Sequence, residues 1–98
     1  MKYYHATTEQ AGKSIIADGA IKTGFDGVVY LADSVNNACK FLMVRFVTDP
    51  MIIFEVDGLD ESKIEESYDH SEAFFKCKAW VYPEDVPATL ITNVYTVE

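Results

Sequence analysis

Two short apolar runs, each interrupted by one polar ring, constrain this chain more than any other feature. They are Tyr4-His5-Ala6-Thr7 near the start and Gly27-Val28-Val29-Tyr30-Leu31 one helix later. Each reads as a strand edge, and the residues between them suffice for a single helix. The chain therefore opens strand, helix, strand, and the expected outcome is a cleft shared by the rings of His5 and Tyr30. Such a cleft would suit a flat, polar ligand.

The rest of the chain extends this pattern without a repeat, a linker or a low-complexity tract. Lys2 to Ala6 is the first strand, and Thr7 or Thr8 caps a helix that has Glu9 and Gln10 in its first turn. Ala11, Ile15 and Ile16 are expected on the inner side of that helix, and Gly19 lies just past its end. Gly24 to Gly27 is turn chemistry, Val28 to Ala32 is the second strand, and Asp33-Ser34 caps a second helix. Val35, Ala38, Cys39, Leu42 and Phe46 recur at helical spacing there, so one stripe faces the core. Thr48-Asp49-Pro50 ends this helix, and Met51 to Val56 is a buried strand. Asp57 to His70 reads as a polar surface connection in which Asp60 or Ser62 starts a helical turn. Strand alternation returns from Phe74 to Tyr82, with Phe75, Cys77, Ala79 and Val81 on one face and Lys76, Lys78, Trp80 and Tyr82 on the other. Pro83 to Pro87 breaks that strand, and Leu90 to Val97 closes the sheet. The fold class is α+β, mainly antiparallel, with two helices near the N-terminus, and residues 1–98 form a single domain.

Composition narrows the function. A chain of 98 residues that is 49% hydrophobic can build one core without metal or disulfide staples. Cys39 and Cys77 fall in apolar surroundings and read as free thiols, which fits a reducing, cytoplasmic location. No signal peptide and no apolar stretch of membrane-spanning length is evident. The net charge of -8 is uneven: residues 1–46 carry four acids against five bases, and residues 47–98 carry twelve acids against three bases. An acidic chain repels a phosphate backbone, so general nucleic-acid binding is not expected. The acidic stretch from Glu55 to Glu72 reads as a solvated surface, or else as a contact face for a basic partner.

Several constellations can be struck out. The chain has no phosphate-cradling Gly-rich motif, no calcium-loop spacing and no paired His or Cys at metal-ligand spacing, so no metal is expected. Asp69-His70-Ser71 holds the residue types of a hydrolase triad, but consecutive side chains cannot hydrogen-bond in series.

The remaining pattern resembles the ADP-ribosyltransferase superfamily. The resemblance rests on Tyr4-His5-Ala6-Thr7, the helix ending Ala17-Asp18-Gly19, and Gly27-Val28-Val29-Tyr30-Leu31-Ala32-Asp33. It continues through Ile52-Ile53-Phe54-Glu55-Val56-Asp57, Ala79-Trp80-Val81-Tyr82, Asp85-Val86-Pro87 and Leu90-Ile91. Small bacterial and phage members, and the C-terminal lobe of RNA 2'-phosphotransferases, have this layout. It implies a split antiparallel β-sheet core and NAD as cofactor. His5 would hold the ribose of the nicotinamide half, Ala6 and Thr7 would cradle that end, and Tyr30 would stack on the nicotinamide. Arg45 falls where the RNA 2'-phosphotransferases contact phosphate. The chemistry implied is loss of nicotinamide from C1 of the ribose through a cationic transition state, then attack by a protein or nucleic-acid acceptor. In many members a carboxylate precedes the Asp-Val-Pro-like turn, and here Ala79 stands near that position. Glu84 is the substitute chosen, with Asp85 and Glu72 as further candidates. The resemblance thus implies a small mono-ADP-ribosyltransferase, of the kind made by phages and mobile elements. The alternative is a catalytically silent domain of the same fold that binds a nucleotide, or a protein partner through its acidic surface.

Overall fold

The structure is a computed structural model that describes residues 1–24, 27–43, 50–66 and 79–97. In chain order its elements are β1 (Lys2–Thr8), α1 (Glu9–Asp18), β2 (Ala20–Ile21), β3 (Val29–Ala32), α2 (Val35–Met43) and β4 (Met51–Asp57). A single 3-10 turn, Glu61–Lys63, then leads to β5 (Glu65–Glu66), β6 (Ala79–Tyr82) and β7 (Val86–Pro87). A second such turn, Ala88–Leu90, leads to β8 (Ile91–Val97). Six strands form one sheet in the order β5-β6-β3-β1-β4-β8, and β2 pairs with β7 in a separate ribbon. All of the pairings are antiparallel. The fold is therefore α+β with an antiparallel sheet and two helices in its first half.

Local signals place the helices where the sequence predicts them. Thr8 is the α1 cap, its hydroxyl accepting from the Ala11 N–H at 3.2 Å, while Thr7 stays in β1 opposite Ile52. Gly19 ends the helix at φ 77°, a left-handed conformation that glycine adopts without a Cβ penalty, and its N–H bonds the Ile15 carbonyl at 3.0 Å. Ser34 caps α2 by accepting from the Asn37 N–H at 3.1 Å. Ala38 and Cys39 face inward as expected, and burial pushes the Cys39 thiol pKa up. The Leu42 side chain, together with Phe46 and Cys77, lies outside the described residues.

The sheet is covered on both faces. On one, Tyr3, Val29, Leu31, Phe54, Val56 and Tyr82 pack with Ile15 from α1, Ile21 from β2, Val86 from β7 and the crossing residue Leu59. On the other, Ala32, Met51 and Ile53 pack with Ala38 and Cys39. Strand alternation accounts for the division, since successive side chains leave a strand on opposite sides.

Three expectations need correction. Ala11 and Ile16 do not face inward: Ile16 is 62% exposed, and α1 instead turns Gly12 and Ile15 to the core. The connection after β4 is not wholly a surface loop, because Leu59 is buried and Glu65–Glu66 adds a strand to β6. Of the two starts expected for a helical turn there, Asp60 is the one used: it caps the 3-10 turn by accepting from the Ser62 N–H. Pro83 to Pro87 does break the strand after Tyr82, and the break also carries β7, whose Val86 pairs with Ile21. Finally, the supposed solvated acidic stretch does not begin at Glu55, which is only 6% exposed.

Gly12 allows α1 to lie against β4. A Cβ at this position would stand 2.8 Å from Ile52 Cδ1 and 3.3 Å from Ile52 Cβ. Ile52 is branched at that Cβ and has little freedom to retreat. Gly12→Val should lower stability by about 1–3 kcal/mol through overpacking, measured by urea denaturation. Wild-type stability in that variant would contradict the close approach of helix and strand.

Candidate functional site

The candidate site is built around the seam between β1 and β3. β1 pairs with β4 along its whole length, from Lys2↔Asp57 to Thr8↔Met51, whereas β1 and β3 share the single Cα pair Tyr4↔Ala32. Beyond that pair His5 supplies a side-chain bond where the ladder lapses. Its Nδ1 lies 2.9 Å from the Tyr30 carbonyl oxygen.

That contact fixes the chemistry of the ring. A carbonyl oxygen only accepts, so Nδ1 must carry the proton. Burial pushes the His5 pKa down, and the Tyr30 carbonyl offsets this only in part. The neutral ring therefore dominates near neutral pH, with Nε2 presenting a lone pair. Among the described residues nothing bonds Nε2, and the residue as a whole is half-buried. A neutral Nε2 is an acceptor that can take a hydrogen bond from a ligand hydroxyl.

The rings of His5 and Tyr30 do not share one cleft. His5 lies opposite Phe54 on the face of the larger core, and Tyr30 lies between Val29 and Leu31, which belong to that core, so its side chain leaves by the other face. What Tyr30 gives to His5 is its backbone carbonyl. The half-buried aromatic residue on the His5 face is Trp80, which pairs with Leu31 and meets Tyr3 edge-on at 5.8 Å between ring centroids. The expected alternation of β6 had put Trp80 and Tyr82 on one face, and both pack against the larger core.

The other expected residues are dispersed. Ala6 packs against the smaller core, and Thr7 is buried in β1. Ala79 is fully buried opposite Ala32. Glu84 lies past the end of β6, two strands from His5, where it is bonded by Lys63 Nζ at 3.0 Å and by the Tyr82 hydroxyl at 3.4 Å. Asp85 accepts from the Thr23 N–H at 2.9 Å and pairs with Lys22 at 3.4 Å. The Thr23 bond is the main cause of its lowered pKa. Arg45, Glu72 and Asp69-His70-Ser71 lie outside the described residues. A groove of about 410 Å³ bordered by Thr8, Glu9, Gln10, Lys13 and Pro50 contains neither His5 nor Trp80, and its Lys13 is paired with Glu9 at 3.3 Å.

Glu55 is the buried carboxylate that sequence reasoning missed. It faces the side opposite His5, where Oε2 accepts from the Tyr4 hydroxyl at 3.1 Å and the Tyr95 hydroxyl at 3.2 Å. Oε1 accepts from the Thr92 hydroxyl at 2.8 Å and meets Lys2 Nζ at 3.3 Å. The Thr92 bond, with help from Tyr4 and Lys2, holds its pKa below the ordinary carboxylate value against the effect of burial. Its position inside an otherwise apolar strand was the available signal, since an acid there must find partners. Tyr3 forms a comparable link on the His5 face: its hydroxyl donates to Glu61 Oε2 at 2.7 Å, and burial together with that carboxylate pushes its pKa up to about 12.

No family model and no curated protein matches the chain. Among solved structures it is similar to protein CC0527 from Caulobacter crescentus, at 9% identity and a TM-score of 0.70, covering 100% of this chain and 87% of that one. A double mutant of the same Caulobacter protein gives a TM-score of 0.69 with the same identity and coverage. At this identity the likeness is one of fold. Among the described residues no helix is long and apolar enough to cross a membrane.

Two measurements check this geometry. Long-range ¹H–¹⁵N correlation spectra should show His5 protonated at Nδ1 and titrating below the ordinary histidine value of about 6.5. A proton on Nε2 would contradict the assignment. Because the folded pKa of Glu55 is depressed, its stabilisation is present above the unfolded value of about 4.3 and is lost as pH falls through the folded one. Glu55→Gln should therefore be less stable than wild type at pH 7, with the gap narrowing below about pH 4. A pH-independent gap in thermal melts would count against the ionised, bonded carboxylate.

Proposed function

We propose that this chain is an ADP-ribosyltransferase-like domain with a split antiparallel sheet, and that it uses NAD as a small mono-ADP-ribosyltransferase. The observation that carries this reading is the His5 ring, fixed by the Tyr30 carbonyl so that a neutral Nε2 can accept a bond. A ribose hydroxyl is a suitable donor for that acceptor. The sparse pairing of β1 with β3 supports the split-sheet reading, because it opens the sheet at the residue that would hold the ribose.

The fit to NAD is good at His5 and requires one revision nearby. Tyr30 cannot stack on a nicotinamide whose ribose is held on the opposite face. Trp80 replaces it as the aromatic partner, paired with Leu31 on the sheet face that His5 also occupies. Bound NAD supplies the ADP-ribosyl group, released when its bond to nicotinamide breaks. The work of this chain is to orient the ribose through His5, to offer Trp80 to the ring and to limit water with the surrounding core.

A second reading is the catalytically silent module, and one observation favours it. Ala79 is buried where the resemblance calls for an acid, and Glu84 and Asp85 are held by Lys63 and by Thr23 with Lys22. Incubation of the purified protein with labelled NAD and a cell lysate separates the two. The transferase should release nicotinamide and label an acceptor, and His5→Ala should cut release by at least about tenfold, the loss of ~1.4 kcal/mol. Trp80→Leu should weaken NAD binding in calorimetry, while Tyr30→Phe, which keeps the carbonyl, should not. Binding without release would establish the silent module, and absence of both would refute the NAD site.

A further inference from the structure

An aspartate is followed by a glycine at three places in the sequence: Asp18-Gly19, Asp26-Gly27 and Asp57-Gly58. A glycine nitrogen in this position has no Cβ beside it to hinder its approach to the preceding carboxyl. All three glycines also take a positive φ, at 77°, 80° and 92°. Hydrogen bonding is what separates them. The Gly19 N–H donates to the Ile15 carbonyl at 3.0 Å, and the Gly27 N–H donates to the Gly24 carbonyl at 2.9 Å. At the third step the Gly58 N–H donates to Oδ1 of Asp57 itself, at 2.8 Å. That bond folds the Asp57 side chain back onto the main chain and holds the Gly58 nitrogen beside the carboxyl group. The Asp57 side chain is 43% exposed and Gly58 is exposed, so water reaches both.

We propose that Asp57 is a site of self-modification, converted through a cyclic succinimide to isoaspartate. In the first step the Gly58 nitrogen forms a bond to Asp57 Cγ. The bond from Cγ to the hydroxyl of the protonated carboxyl breaks, and that hydroxyl leaves as water with the hydrogen given up by the amide. In the second step a water adds to one of the two ring carbonyls, the C–N bond there breaks, and the nitrogen regains a hydrogen. Opening at Cγ restores aspartate. Opening at the main-chain carbonyl carbon leaves the backbone running through Cγ, which is isoaspartate. One water leaves and one enters, and nothing is oxidised or reduced. The selectivity for Asp57 comes from proximity, because nucleophile and electrophile are already held together in the folded chain.

The step lies between two fixed points. Asp57 is the last residue of β4 and pairs with Lys2, and Leu59, two residues on, is buried in the larger core. Isoaspartate adds one carbon to the backbone between them. The change therefore falls where β4 hands over to the segment that carries Leu59 into the core and Glu61 to the Tyr3 hydroxyl.

Ageing the folded protein in water labelled with ¹⁸O tests the assignment, because each ring opening leaves one heavy oxygen at the aspartate that reacted. Trypsin, used afterwards in ordinary water, places the three aspartates in separate peptides, residues 14–22, 23–40 and 46–63. Fragment-ion mass spectrometry then locates both the label and the extra backbone carbon. In folded wild type, Asp57 should take up label at least about tenfold faster than Asp18 or Asp26, a ratio equivalent to ~1.4 kcal/mol of barrier, and isoaspartate should be found there. In urea, where all three steps are equally free, the preference should disappear. Asp57→Glu keeps the charge but requires a larger ring, and should lose the label at that position. Labelling of the folded protein that is no faster at Asp57 than at Asp18 overturns the proposal. The same preference persisting in urea, or undiminished labelling in Asp57→Glu, overturns it as well.

Discussion

β1 is bonded along its full length on one side and at a single Cα pair on the other, and much of this molecule follows from that asymmetry. Toward β4 it belongs to a continuous ladder that buries Phe54, Val56 and Ile53. Toward β3 the ladder lapses, and the His5 ring bonds the Tyr30 carbonyl that a strand neighbour would otherwise have taken. A typical hydrogen bond of this kind contributes only about 1 kcal/mol net. The same bond sets the tautomer and leaves Nε2 as an acceptor.

The two faces of the sheet carry different polar devices. On the His5 face, Tyr3 ties β1 to Glu61, and the edge-on contact with Trp80 spans β3. On the opposite face Glu55 gathers hydroxyls from β1 and β8, together with the Lys2 ammonium, around one carboxylate. A buried carboxylate is tolerable only when donors replace the lost water, and here tyrosine, threonine and lysine all contribute. This arrangement fixes β8 against β4 from within and leaves its outer backbone turned away from the core.

The sequence was most legible where a single residue determines the local structure. Thr8, Gly19 and Ser34 mark helix ends through caps that each involve a few neighbouring residues, and all three act where expected. The alternation within β6 also correctly separated Trp80 from Ala79. Relations between strands were harder to read. Period-two alternation fixes parity inside one strand, but the common face of His5 and Tyr30 depended on register, and Tyr4↔Ala32 aligns even with even positions. The odd-numbered His5 and even-numbered Tyr30 therefore point apart. β2, β5 and β7 are two residues each, too short for any periodicity to show. Glu55 was misread because its partners Tyr4, Thr92 and Tyr95 are distant in sequence and converge only through the β1–β4–β8 register.

The central claim is that His5, fixed by the Tyr30 carbonyl, offers Nε2 to a ligand hydroxyl. Titrating NAD into protein carrying ¹⁵N-labelled histidine tests it most directly. The account predicts that the His5 Nε2 resonance moves with saturable binding while Nδ1 keeps its proton. An Nε2 resonance unmoved at saturating NAD, or a proton transferred from Nδ1 to Nε2, would contradict it.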